Sequence, residues 1–130
     1  MNKILSLCLL LFMFSSVSAW ANEKPVLIMF NSPYCGYCEL FFREVGEENY
    51  NASKEGKMFP LKILDVTVQD DLSWYYGARQ VHAIGRVEGT PTFVLFYKNK
   101  EVGRVRGFAG KDWFYKKLDE QIKKFNENMR

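Results

Sequence analysis

Residues Pro25 to Phe30 (PVLIMF) form an unbroken apolar run that stops at Asn31-Ser32-Pro33. A run this short, with no polar residue alternating through it, reads as a strand buried on both faces. Such strands sit at the centre of α/β sheets. The chain must then supply covering layers for both sides of that strand.

The sequence that follows offers them. Cys35, Cys38, Phe41, Phe42 and Val45 recur at helical spacing, which predicts a helix from Cys35 to about Asn49. Asn51 to Lys57 is polar, contains Gly56, and reads as a loop. Pro60 to Val66 (PLKILDV) reads as a second strand. Gln69 to Gln80 carries Asp70 and Asp71 where they suit the positive end of a helix, then Leu72, Trp74, Tyr75 and Tyr76. Thr92 to Lys98 (TFVLFYK) is a third strand, and Asn99-Lys100 suggests a tight turn into Glu101 to Arg106 (EVGRVR). Gly103 inside that last strand suggests a bulge or a close backbone approach. In the final helix, Phe114, Leu118, Ile122 and Phe125 make an apolar stripe. The order β-α-β-α-β-β-α needs a parallel pair at the start and an antiparallel hairpin at the end. The expected class is α/β, a four-stranded mixed sheet with helices on both faces.

The segment before Pro25 has a different character. Lys3 precedes an apolar run from Ile4 to Phe14, small residues follow, and Ala19-Trp20-Ala21 fits a cleavage site. The run is shorter than the roughly 20 residues that span a bilayer. Residues 1–21 are therefore expected to be a cleaved export signal, and residues 22–130 one domain. Cys8 lies within the apolar run and would leave with it, so Cys35 and Cys38 are the cysteines of the mature chain. A net charge of +3 for the whole chain makes no case for nucleic acid or strong membrane adsorption. Lys116, Lys117, Lys123 and Lys124 read as a solvated helix face.

The stretch SPYCGYCEL (residues 32–40) raises the question of use. Structural zinc wants four ligands, and His82 is the only histidine available to add to the pair. Copper(I) accepts two thiolates with a thioether, and Met29 is near in sequence, although a Met in an apolar strand belongs to a core. As a staple the pair is poor, because the stabilisation from a disulfide grows with the length of the loop it closes and this loop is nearly the shortest possible. Exchange chemistry fits best. Cys35 stands at a helix start, where unpaired N–H groups and partial positive charge favour thiolate. Cys38, one turn in, is expected to be less exposed and to resolve the mixed disulfide that Cys35 forms. Gly36 and Tyr37 add no charge between them.

Gly89-Thr90-Pro91-Thr92 is the second signal. Only about 5–6% of X–Pro bonds in folded proteins are cis, so the residues alone favour a trans bond leading into a strand. A C-x-x-C at a strand-to-helix junction, followed later by Thr-Pro, a strand, a hairpin and a helix, resembles the thioredoxin superfamily across nearly all of residues 25–125. The resemblance implies a minimal thioredoxin-like fold, a cis bond at Pro91, and Cys35 and Cys38 as nucleophile and resolving thiol. A cis bond there would expose the Thr90 backbone for pairing with an extended substrate, and Tyr34 and Tyr37 are candidates for the rim around Cys35 or for packing. Cys-Gly-Tyr-Cys with Thr before the proline is similar to periplasmic disulfide isomerases and reductases. The segments PLKILDV and GTPTFVLFYKNKEVGRVRGFAGKDWF resemble most closely a periplasmic group that accompanies bacterial sulfur-oxidation systems and keeps a carrier-protein thiol reduced.

Several features depart from thioredoxin. Its first strand and helix do not fit into the few mature residues before Cys35. Met29 stands where that family has a buried Asp that assists proton transfer. There is extra length between Asp65 and Pro91, and no dimerisation domain of the kind found in dimeric isomerases. His82 reads as a loop or surface residue, Tyr37 as part of the rim, and Trp74, Tyr75 and Tyr76 as helix packing with some chance of a substrate surface.

The expected protein is an exported, periplasmic, monomeric thiol-disulfide oxidoreductase that reduces protein disulfides without cofactor or metal. Its electrons would come from a membrane thiol relay. The rivals are a disulfide-forming oxidant or isomerase, and a copper(I)- or carrier-protein-binding module without turnover.

Overall fold

A computed structural model describes residues 24–130. The export signal expected over residues 1–21, with Cys8, lies outside the described residues. The elements are β1 (Val26–Asn31), α1 (Gly36–Glu44), α2 (Glu47–Ala52), α3 (Lys54–Met58), β2 (Leu61–Asp65), α4 (Gln69–Gln80), β3 (Thr92–Tyr97), β4 (Lys100–Arg106) and α5 (Lys111–Asn128). The strands form one sheet in the order β2-β1-β3-β4. β1 runs parallel to β2, with Leu27 opposite Leu61 and Asn31 opposite Asp65. It runs antiparallel to β3, with Phe30 opposite Thr92, and β3 runs antiparallel to β4. This is the expected mixed sheet, with the PVLIMF strand paired on both edges.

Because side chains alternate across a strand, β1 feeds two separate cores. Leu27 and Met29 point to one side and join Cys38, Phe41, Phe93, Phe114 and Leu118. Ile28 and Phe30 point to the other and join Leu64, Ile84 and Val94, packed by Trp74, Tyr75 and Ala78 of α4. Phe41 is the hub of the first core, with ring centroids 5.0 Å from Phe93, 5.6 Å from Phe108 and 5.3 Å from Phe114. The stripe on α5 is buried as expected.

Two stretches correct the sequence expectations. The helix predicted to reach Asn49 stops at Glu44. Gly46 takes φ 77°, a left-handed conformation that glycine adopts freely, and its N–H closes the helix on the Phe41 carbonyl at 3.1 Å. The loop predicted over Asn51–Lys57 is the end of α2 followed by α3. Ser53 makes this possible: its hydroxyl donates to the Tyr50 carbonyl at 2.6 Å and accepts from the Gly56 N–H at 3.0 Å, which caps α3. Gly56 lies inside α3 because a Cβ there would sit 2.0 Å from the Tyr50 carbonyl oxygen. The element order is thus β-α-α-α-β-α-β-β-α.

The hairpin turn also falls one residue earlier than expected. Lys98 and Asn99 both have positive φ, as a two-residue hairpin loop requires, and Lys100 already pairs with Tyr97. The irregularity expected at Gly103 is present. Leu95 faces Gly103 but Phe96 faces Glu101, so Val102 is the extra residue. A Cβ on Gly103 would also lie 2.8 Å from Gln121 Oε1 of α5.

The extra length between Asp65 and Pro91 is α4 plus a loop tied to β4. The Glu101 N–H donates to the Ala83 carbonyl at 2.8 Å, and Glu101 Oε1 accepts from the Gly85 N–H at 2.9 Å. Arg104 donates to both Glu101 oxygens and to the Arg86 carbonyl at 2.6–2.7 Å. Tyr75 closes the other side, accepting from the Val87 N–H at 2.9 Å.

Candidate redox site

Cys35 is the N-cap of α1, with extended backbone at φ −104° and ψ 109°. Its own N–H donates to the Ser32 carbonyl at 3.2 Å, so the SPY turn sets where the helix begins. Its sulfur accepts from the N–H of Cys38 at 3.1 Å. That is one of the donors a helix start leaves unpaired, and it supports negative charge on the sulfur when the disulfide opens. Cys35 and Cys38 are joined as a disulfide with Cα atoms 5.2 Å apart. The two sulfurs are unequally accessible. Cys38 is 1% exposed and packs in the first core with Met29 and Phe41, whereas Cys35 is partly open. Tyr34 (91% exposed) and Tyr37 flank it as a bare aromatic rim.

The Thr90–Pro91 bond is cis. The pairing of Phe30 with Thr92 sets Pro91 beside Asn31, at the end of the sheet from which the chain enters the dithiol turn. The Pro91 carbonyl accepts from the Gly107 N–H at 2.8 Å. Thr92 Oγ1 donates to the Gly89 carbonyl at 2.6 Å. Between these bonds, the N–H and C=O of Thr90 have no hydrogen-bond partner among the described residues. Backbone groups are normally paired unless water or a ligand reaches them, so Thr90 is open to an extended chain.

Met29 is fully buried, so the position beneath the dithiol holds a thioether and no acid. The buried carboxylate among the described residues is Glu55 on α3. No group of three or more metal-ligating side chains converges among the described residues. His82 is an exposed loop residue with φ 57°. Its neighbour Ala83 pairs with Glu101 at the start of β4, whereas the dithiol edge lies at the end of that strand, so His82 takes no part in the site.

Asp65, at the end of β2, meets Asp71, which the sequence marks only as an acid at a helix start. Asp71 Oδ2 accepts from the Asp65 N–H at 2.8 Å, closing the end of β2. Asp65 Oδ1 accepts from the Thr67 hydroxyl and N–H at 2.6 and 2.8 Å, and these bonds hold its carboxyl below the ordinary range. An acid in the first turn of a helix is a visible signal, but sequence does not show that Asp71 meets Asp65 beside a cavity. That cavity, about 290 Å³, is walled by α4 and the loop ending at Thr90. Trp74 and Tyr75 pack inward as expected, while Tyr76 is exposed and faces the cavity.

No helix among the described residues is long and apolar enough to cross a membrane. Residues 16–122 match the family model of a thioredoxin-like domain. The periplasmic thioredoxin SoxS from Paracoccus pantotrophus, solved in its reduced form, is 27% identical with a TM-score of 0.60, covering 78% of this chain and 98% of that one. A thioredoxin from Thermus thermophilus is 27% identical with a TM-score of 0.53, covering 75% and 72% of the two chains. A protein disulfide-isomerase from Oryctolagus cuniculus is 29% identical over 93 residues, and the chain spans 16% of its length.

Proposed function

The chain belongs to the thioredoxin-like domain family, and on that premise we propose that it is an exported reductant of protein disulfides. The observation that carries the reading is the inequality of the two sulfurs: Cys35 open at a helix start, Cys38 buried one turn below. The reduced Cys35 thiolate attacks one sulfur of a substrate disulfide. The substrate S–S bond breaks, its other sulfur leaves as a thiolate and takes a proton, and Cys35 is joined to the substrate. Cys38, as thiolate, then attacks the Cys35 sulfur, releases the second substrate thiol and re-forms the internal disulfide. Two electrons pass from the dithiol to the substrate. A dithiol donor must return them, and for an exported domain that donor is a membrane thiol relay.

Thr90 and Pro91, with Tyr34 on the rim, are the proposed substrate-binding residues. The unpaired backbone of Thr90 supplies strand-like hydrogen bonds to the segment around the substrate disulfide. The domain acts as a monomer, in the periplasm, after removal of residues 1–21. The likeness to a periplasmic thioredoxin supports that location.

The likeness to a protein disulfide-isomerase keeps the oxidant or isomerase reading in play. The redox potential of the Cys35–Cys38 pair separates the two. A value near about −270 mV is expected; one near about −120 mV would overturn the reductase direction.

A further inference from the structure

We propose that the cavity beside Thr90 is a subsite for a basic side chain, Lys or Arg, next to the disulfide cysteine of the substrate. The inference rests on the oxidoreductase reading above and names the substrate class that the site selects.

The cavity shares Thr90 with the substrate-binding loop, so a chain paired with the Thr90 backbone would present a side chain to it. Its wall is apolar and aromatic, formed by Phe30, Leu72, Tyr75 and Tyr76. Three acids, Asp65, Asp71 and Glu88, also line it, and no Lys, Arg or His does. Hydrogen bonding leaves Asp65 Oδ2 and Asp71 Oδ1 without a partner among the described residues. Arg104, outside the lining, interacts electrostatically with Tyr75 and Glu88. Its guanidinium is committed to Glu101 and the Arg86 carbonyl.

At about 290 Å³ the cavity lies at the small end of ligand pockets, a size for one side chain. A Lys or Arg satisfies both of its characters. The methylene stem lies along the apolar wall while the head reaches the acids, and the tyrosine faces attract the cation as well. An aliphatic side chain would cover the acids without pairing them, which carries a desolvation cost. An acidic one would be repelled.

The test uses the full domain, with dithiothreitol as electron source, and disulfide-linked peptides that differ only in the residues flanking the cysteine: Lys, norleucine or Glu. At low salt, kcat/KM is expected to favour Lys over Glu by about tenfold, with norleucine between them and the ratio shrinking as salt is added. In an Asp71→Asn/Glu88→Gln variant the ratio should fall towards one. Asparagine retains an acceptor for the Asp65 N–H, and circular dichroism checks the fold. Equal rates for all three peptides, or a Lys preference that survives in the variant, would overturn the subsite. If no peptide is reduced faster than by dithiothreitol alone, the oxidoreductase reading itself fails.

Discussion

The N–H of Cys38 donates to the sulfur of Cys35 at 3.1 Å, so in the proposed exchange the residue that resolves the mixed disulfide also supports the sulfur that forms it. The support comes from backbone and the resolution from side chain, so substitution separates them. Cys38→Ser keeps the N–H and should accumulate mixed disulfides, visible as a mass adduct that reductant removes. Cys35→Ser removes the attacking atom and should lower protein-disulfide reduction by at least ~10³-fold in a coupled assay.

Glu101 ties the Ala83–Arg86 loop to β4. Burial pushes its carboxyl up, but the hydrogen bonds from Arg104 and the Gly85 N–H, with the charges of Arg104 and Arg106, more than reverse this and hold it below the ordinary range. An acid depressed in the folded state adds stability above its unfolded value of about 4.3, and that stability is lost as pH falls through the folded value. Arg104 stays protonated throughout. Glu101→Gln should therefore destabilise by about 1 kcal/mol at pH 7, a figure discounted for solvent screening. Urea titrations should show the gap narrowing as pH falls below the unfolded carboxylate value and closing once the folded carboxyl is protonated.

Phe41 packs edge-on or tilted against three other buried rings, one helical turn beyond Cys38. Phe41→Ala should cost about 3–5 kcal/mol in denaturant unfolding, the range for emptying an aromatic site in a packed core. Phe42→Ala, on the solvent side of the same helix, should stay within about 0.5 kcal/mol.

Gly56→Ala places a methyl group against the Tyr50 carbonyl, backbone that cannot swing aside. The expected cost is at least about 1–3 kcal/mol, as for overpacking elsewhere, read as a lowered Tm. Gly103→Ala meets only the movable end of Gln121 and should be milder.

The strands and the α5 stripe were legible because burial leaves a periodic or continuous apolar record. The dithiol was legible because two cysteines at a strand-to-helix junction without further ligands have few uses. The division of residues 36–58 into three helices was not. Val45 and Tyr50 stay buried across the break, so the helical period carries over a stop made by the conformation of Gly46. Gly56 misled for a related reason: it reads as a loop residue, but its missing Cβ serves a close approach between two helices. The clamp of Arg104 and Glu101 on the Ala83–Arg86 loop, and the unpaired backbone of Thr90, are relations in space that no periodicity encodes. They emerge only when each hydrogen bond is accounted for.

The alternation along β1 has one more consequence. Met29 and Phe30 are neighbours in the chain, yet one packs beneath the thiols and the other walls the cavity beside Thr90. Under the proposed function, substitutions on one side of this strand would act on partner choice and those on the other on the dithiol. On that reading, selectivity and driving force would be free to drift independently, without either change having to rebuild the other.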